Sequence, residues 1–166
     1  MSLHRQSATG QKALRKGRVS IARQVYFITT VSASRQRFFE NTDAARATAQ
    51  IFSNTGVWQK SELLAWVLMP DHAHFLLRLG DDESLHGLVQ RVKSLTARAT
   101  NSALSRCGNV WQPSYHDHAL REDEDIVSAA RYLIANPVRA GLVAKVGDFP
   151  YWDAVWLTPG CNPLDP

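Results

Sequence analysis

"ELLAWVLMPDHAHFLLRL" (residues 62–79) decides the fold, because it contains two apolar segments separated by the dipeptide Pro70-Asp71. Residues 62–69 and 72–79 are each rich in aliphatic and aromatic side chains, which is typical of buried strands. Pro and Asp favour the central positions of a tight turn. The stretch therefore predicts an antiparallel hairpin.

The segments on either side of the hairpin predict the rest of the order, β-α-β-β-α-β-α. The additional strands are expected in QVYFITTVSA (24–33) and YHDHALR (115–121), and the helices in TDAARATAQIFSN (42–54), residues 84–105 and EDEDIVSAARYLIAN (122–136). Apolar residues at i, i+3 and i+4 mark the second helix, and a Thr/Asp pair is the cap candidate of the first. The first six elements predict an α+β fold with a ferredoxin-like split β-α-β antiparallel sheet, to which a C-terminal helix is appended.

The chain of 166 residues is long enough for one domain with a sizeable core. We expect a flexible basic arm in residues 1–19, the folded domain in residues 20–157 and a disordered tail in residues 158–166. No apolar run approaches the roughly 18 residues of a membrane span, and the basic N-terminus has no signal-peptide pattern. Cys107 and Cys161 match no disulfide or zinc spacing. The expectation is a soluble cytoplasmic protein.

The net charge of +4 is distributed unevenly along the chain. Residues 1–39 contain eight Lys or Arg and no Asp or Glu, whereas the remaining 127 residues contain eleven bases and fifteen acids. A second acid-free stretch extends over residues 84–116. Basic blocks in an otherwise acidic chain indicate a polyanion-binding surface, most often for nucleic acid, or alternatively a solvated face.

The histidines of the hairpin, His72 and His74, are separated by one residue. Alternate residues of a strand point to the same side of the sheet, so the two imidazoles are expected side by side. Such a pair can supply two metal ligands, or it can be a chance pair on a half-buried strand. A histidine-triad hydrolase would need a third alternating histidine, but residue 76 is Leu. A two-histidine phosphoesterase would need a hydroxyl residue at position 74.

The last predicted helix carries Tyr132 and Asn136 four residues apart, so both lie on one face of the helix. That face is roughly opposite an apolar stripe formed by Ile126, Val127, Ala130, Leu133 and Ile134. Asn136 offers a carbonyl oxygen, a ligand acceptable to Mg²⁺ or Mn²⁺. The alternative is an exposed tyrosine beside an incidental asparagine.

A second pair, His116 and His118, lies on the predicted fourth strand. Together with the first pair it would make a four-histidine site of the metallohydrolase kind. We favour a polar or DNA-contacting role. Trp111 would either stack on an unpaired base or belong to the core.

Four segments resemble a known family in their order and spacing: MPDHAHFLLRL (69–79), LVQRVKSLTARATN (88–101), VWQPSYHDHALR (110–121) and ARYLIANPVRAGLV (130–143). They resemble the REP-associated tyrosine transposases, which are single-tyrosine HUH nucleases related to insertion-sequence transposases. The resemblance covers roughly residues 20–157, and YLIANPVRAGLV is its most specific part. One departure is Ala73, since the residue between the two family histidines is often bulkier.

This resemblance implies that His72 and His74 are metal ligands, that Tyr132 is the nucleophile and that Asn136 is the third ligand, from the same helix. It implies Mg²⁺ or Mn²⁺ as cofactor and single-stranded hairpin DNA as substrate, cut through a 5′-phosphotyrosine intermediate. The protein would be a monomer or a homodimer, in which Tyr132 completes its own site or that of its partner. Backbone contacts to DNA are assigned to the basic blocks, with these candidates: Arg15, Lys16, Arg18, Arg35, Arg37, Arg91, Lys93 and Arg98.

Two other functions remain open from the residues alone. One is a domain of the same fold that binds structured nucleic acid without cutting it. The other is the metallohydrolase that uses both histidine pairs.

Overall fold

The structure, a computed structural model, describes residues 20–156. The predicted arm 1–19, with Arg15, Lys16 and Arg18, and the predicted tail 158–166 lie outside the described residues. Within that range, no helix is both long and apolar enough to span a membrane.

Five strands form one antiparallel sheet. They are β1 (Val25–Val31), β2 (Glu62–Met69), β3 (His72–Arg78), β4 (His116–Ala119) and β5 (Trp152–Ala154). The strand order is β4-β1-β3-β2-β5, and β2 and β3 form the predicted hairpin. The first four strands thus confirm the split-sheet fold. The fifth strand was not predicted, because three residues are too few to give a period-2 signal.

The helices are α1 (Thr42–Phe52), α2 (Thr55–Trp58), α3 (Leu85–Ala103), α4 (Ile126–Ile134) and α5 (Asn136–Arg139). The cap predicted at Thr42 or Asp43 is wrong, since the side chain of Asn41 accepts from the first backbone N–H groups of α1. Ser84 caps α3 and Asp125 caps α4 in the same way. These caps satisfy the amide donors that a helix start leaves unpaired.

The sheet is covered on both faces. Helices α1 and α3 pack on one face, where Phe75 and Leu77 of β3 join the larger core cluster. Helix α4 covers the other face, where its Leu133 and Ile134 pack with Leu76. Because side chains alternate along β3, His72 and His74 share the face of Leu76. The histidine pair and helix α4 therefore lie on the same side of the sheet.

Candidate metal and nucleophile site

The two histidines begin β3, directly after the hairpin turn, and both side chains are partly buried. Their rings pack edge to face, with centroids 4.8 Å apart. The pairing of β3 with β1 sets His72 opposite Val31 and His74 opposite Thr29. The strand thus places both imidazoles side by side, as the sequence predicted.

Each imidazole uses its Nδ1 atom for a contact within the protein. His72 Nδ1 lies 2.6 Å from Asp71 Oδ1, and His74 Nδ1 lies 2.8 Å from Thr29 Oγ1. Partners of this kind fix the tautomer and the ring orientation of metal-binding histidines. The two histidines would therefore bind a metal through their Nε2 atoms.

The environment keeps His74 neutral. Burial, the neighbouring His72 and the Arg139 guanidinium together lower the pKa of His74 to about 3. Burial alone would raise the pKa of Asp71, but its hydrogen bond to His72 and the charges of His72 and Arg35 outweigh that effect and lower it. The neutral His74 imidazole is in the protonation state that metal binding requires.

Tyr132 lies on the outer side of α4 and is 61% exposed, as the helical periodicity predicted. Its ring borders a cleft of about 410 Å³ that also contacts Phe27 and His118. The ring centroid of Phe27 is in turn 5.5 Å from that of His74. The tyrosine is therefore accessible to a large substrate on the histidine side of the sheet.

Asn136 does not belong to the same helix as Tyr132, because α4 ends at Ile134 and Asn136 begins α5. Pro137 explains the break, since it has no N–H to donate to Leu133 O one turn earlier. The Asn136 side chain replaces that bond, and its Nδ2 donates to Leu133 O at 2.8 Å. The same bond orients the Oδ1 atom of Asn136 away from Leu133 O.

Arg139 occupies the space beside this oxygen. Its Nη2 atom donates to Asn136 Oδ1 at 2.7 Å, and its Nη1 atom donates to Tyr132 O at 2.6 Å. The guanidinium carbon also lies 3.7 Å from the centroid of the Tyr132 ring. The sequence patterns had not indicated Arg139, Asp71 or Thr29 as residues of this site. Adjacency to His72 could have indicated Asp71, but no local pattern indicates the other two.

The proposed ligands, two imidazole nitrogens and one amide oxygen, are of types that bind divalent cations. Within residues 20–156, no three His, Cys, Asp or Glu side chains are grouped closely enough to hold a metal. A cation at His72 and His74 would therefore need an oxygen ligand of another type, and the Asn136 amide offers one. The Arg139 guanidinium already donates to that oxygen, so the oxygen can accept a cationic partner.

The second histidine pair does not join the first. His116 and His118 are exposed on the edge strand β4, opposite Thr29 and Phe27. His118 Nε2 contacts both carboxylate oxygens of Glu124, at 3.1 and 3.2 Å. Among the described residues there is no cluster of four histidines, which argues against the metallohydrolase.

The DNA-binding candidates within residues 20–156 fall into two groups, one exposed and one at least partly buried. Arg35, Arg37 and Arg98 are exposed. Lys93 is only 7% exposed, and its Nζ donates to the carbonyl oxygens of Gln112, Pro113 and Ser114.

Arg91 is partly buried. It pairs with Glu83 at 2.5 Å and donates to Val57 O at 2.8 Å. These contacts give Lys93 and Arg91 structural roles within the protein. Their contacts with DNA stay predictions. Trp111 is buried, and its Nε1 donates to Thr96 Oγ1 at 2.9 Å, which makes it a core residue.

Comparisons with known proteins show which family the chain resembles. The chain is 34% identical over 94 residues to the REP-associated tyrosine transposase of Escherichia coli K12, a match that covers 54% of this chain and 52% of that protein. It is 26% identical over 139 residues to a Haemophilus influenzae protein assigned to the same group, covering 76% of this chain and 77% of the relative. The resemblance found in the sequence is thus confirmed, although the first match spans only about half of its relative's length.

Among solved structures, the fold resembles that of a REP-associated tyrosine transposase bound to a REP hairpin. The TM-score is 0.61 at 24% identity, with 81% of this chain and 79% of that chain covered. A bacterial tRNA(His) guanylyltransferase-like protein in complex with ATP shares the general fold, with a TM-score of 0.51 at 11% identity, covering 84% of this chain and 69% of that one. The family model described as "Transposase IS200 like" matches residues 20–135, which include His72, His74 and Tyr132. The chain belongs to the family of IS200-like transposases.

Proposed function

We propose that this protein is a metal-dependent endonuclease and strand transferase that acts on single-stranded hairpin DNA through Tyr132. One observation carries the proposal most directly. Two histidines whose Nδ1 atoms are both engaged share a sheet face with the helix that exposes Tyr132. A nucleophile near a preorganised metal site is the arrangement that phosphodiester transesterification needs.

The chemical step would conserve the phosphodiester bond energy. The Tyr132 Oη atom loses its proton and forms a bond to phosphorus, while the bond from phosphorus to O3′ breaks. The O3′ atom takes up a proton, so the products are a 5′-phosphotyrosine and a free 3′-hydroxyl group. Attack of a 3′-hydroxyl on the phosphotyrosine would reverse these changes and join strands.

His72, His74 and Asn136 would hold Mg²⁺ or Mn²⁺, which when bound would neutralise the non-bridging phosphate oxygens and orient the scissile phosphate. The remaining roles belong to the protein. Asp71 and Thr29 orient the imidazoles. The packing of α4 on the sheet holds Tyr132 on the histidine side.

The substrate proposal rests on charge and on the relatives. Arg35, Arg37 and Arg98 are exposed cations that would contact the DNA backbone. Arg35 also lies 3.5 Å from Asp71, beside the histidine pair. A related structure is described as bound to a REP hairpin. We therefore propose a hairpin with an unpaired flank as the substrate.

The test combines labelled single-stranded hairpin DNA with the protein and Mn²⁺ or Mg²⁺, followed by denaturing electrophoresis. We expect a covalent adduct in the wild type and none in Tyr132→Phe, with hairpin affinity nearly unchanged. Tyr151→Phe is the matched control and should retain the adduct. Hairpin binding without an adduct in both metals would instead support the non-cleaving binding domain.

A further inference from the structure

Arg139 connects the candidate metal ligand with the candidate nucleophile. One guanidinium group contacts Asn136 Oδ1, the Tyr132 carbonyl and the face of the Tyr132 ring. Arg139 thus lies where the two halves of the proposed site meet.

On the basis of the proposed function, we propose that Arg139 is an internal cation that competes with the divalent metal for Asn136 and then binds the scissile phosphate. In the metal-free protein the guanidinium would hold Asn136 and Tyr132 together. Metal binding would displace it from Asn136 Oδ1. The released guanidinium would then be available to the substrate beside Tyr132.

Competition follows from the contact at Asn136. The Nδ2 atom of Asn136 is held by Leu133 O, so Oδ1 is the atom that remains for a cation. Arg139 Nη2 already donates to that oxygen at 2.7 Å. A divalent ion at the same oxygen would face a full positive charge at close range, which is unfavourable unless the guanidinium moves.

The chemistry of the side chain favours phosphate as its second partner. A guanidinium presents parallel N–H donors that match two phosphate oxygens, and it stays charged at any ordinary pH. The Arg139 side chain is exposed, so it can exchange partners at small cost. Because it starts against the Tyr132 ring, a phosphate approaching Tyr132 would meet it directly.

The backbone around Arg139 is fixed, which makes the side chain the mobile part. Helix α5 ends in a turn where Leu142 N donates to Pro137 O and Gly141 N donates to Val138 O. Gly141 has φ +71°, a conformation that favours glycine. The segment NPVRAGL therefore encodes one short helix that presents Arg139 to the end of α4.

A simpler alternative is that Arg139 only caps α4 through the Tyr132 carbonyl. Two substitutions separate these roles. Arg139→Gln keeps an amide donor for the carbonyl but removes the charge. Arg139→Lys keeps the charge but loses the planar pair of N–H donors. Arg121→Ala, which removes an exposed arginine of the turn before α4, is the matched control.

The first measurement is Mn²⁺ affinity without DNA, from the free Mn²⁺ signal in electron paramagnetic resonance. We expect Arg139→Gln to bind Mn²⁺ about tenfold more tightly than the wild type. Arg139→Lys and Arg121→Ala should stay near wild type. An unchanged Mn²⁺ affinity in Arg139→Gln, with the thermal midpoint confirming a folded protein, would overturn the competition.

The second measurement is the rate of adduct formation at saturating Mn²⁺. Loss of a donor to the reacting phosphate should slow Arg139→Gln about 100-fold, despite its tighter metal binding. A wild-type rate in Arg139→Gln would overturn the phosphate role. If the wild type forms no adduct, the proposed function fails, whereas the Mn²⁺ affinities still decide the competition.

Discussion

The Oγ1 atom of Thr29 lies 2.8 Å from the Nδ1 atom of His74, across the pairing of β1 with β3. The two residues are 45 positions apart in the chain, and only the sheet brings them together. Since the hydroxyl engages Nδ1, Nε2 is the ring nitrogen that would bind the proposed metal. Thr29 is therefore an orienting residue for the proposed metal site.

Thr29→Val should weaken Mn²⁺ binding about tenfold or more, because valine has a similar shape but cannot bond Nδ1. Thr29→Ser retains the hydroxyl and should stay near wild type. Isothermal titration with Mn²⁺ measures both. Equal affinities for the Val and Ser variants would contradict the orienting role.

Asp71→Ala should also reduce Mn²⁺ affinity, by about 10- to 100-fold, because His72 Nδ1 loses its carboxylate partner. Asp71→Asn keeps an acceptor but removes the charge, so an intermediate affinity is expected. Asp81→Ala, which removes an exposed partner of Arg23, is the control. The hypothesis fails if the Ala and Asn variants at position 71 bind Mn²⁺ as tightly as the wild type.

Lys93 and Arg98 lie on the same helix but should respond oppositely to substitution. Lys93→Met leaves three carbonyls of residues 112–114 without their buried donor, so the free energy of unfolding should fall by about 2 kcal/mol. Arg98→Ala should change stability by less than about 0.5 kcal/mol. It should instead weaken hairpin binding and reduce its salt dependence by about one phosphate contact.

Urea denaturation and hairpin titrations at several salt concentrations measure these effects. Full stability in Lys93→Met would return that lysine to the DNA-binding candidates. An unchanged salt dependence in Arg98→Ala would remove Arg98 from the proposed backbone contacts.

The metal-free protein should lose stability as the pH falls below about 6.5. The folded state lowers the pKa of His74 to about 3, so between these values only the unfolded chain binds this proton. Lowering the pH to about 5 should therefore cost about 2 kcal/mol through His74 alone. Chemical denaturation across this range measures the slope, which should flatten in His74→Gln. An equal slope in that variant would show that another group causes it.

The sequence by itself determined the features that depend on local periodicity. The apolar segments around Pro70-Asp71 predicted the hairpin, and a period of two set His72 and His74 on one face. A period of 3.6 exposed Tyr132 opposite its apolar stripe. These relations hold for any strand or helix, so residues close in the sequence are sufficient to establish them. The segments that resemble a transposase family indicated the expected roles of these residues.

Only the tertiary structure decided which groups meet across the chain. Lys93 is buried at the loop carbonyls, whereas its neighbour on the helix, Arg98, is exposed. Thr29 reaches His74 through strand pairing, and Arg139 turns back onto Tyr132 because Pro137 ends the preceding helix. The physical reason is that a side chain's partners depend on how distant elements pack. The charge pattern along the chain cannot distinguish a buried, structural lysine from an exposed cation.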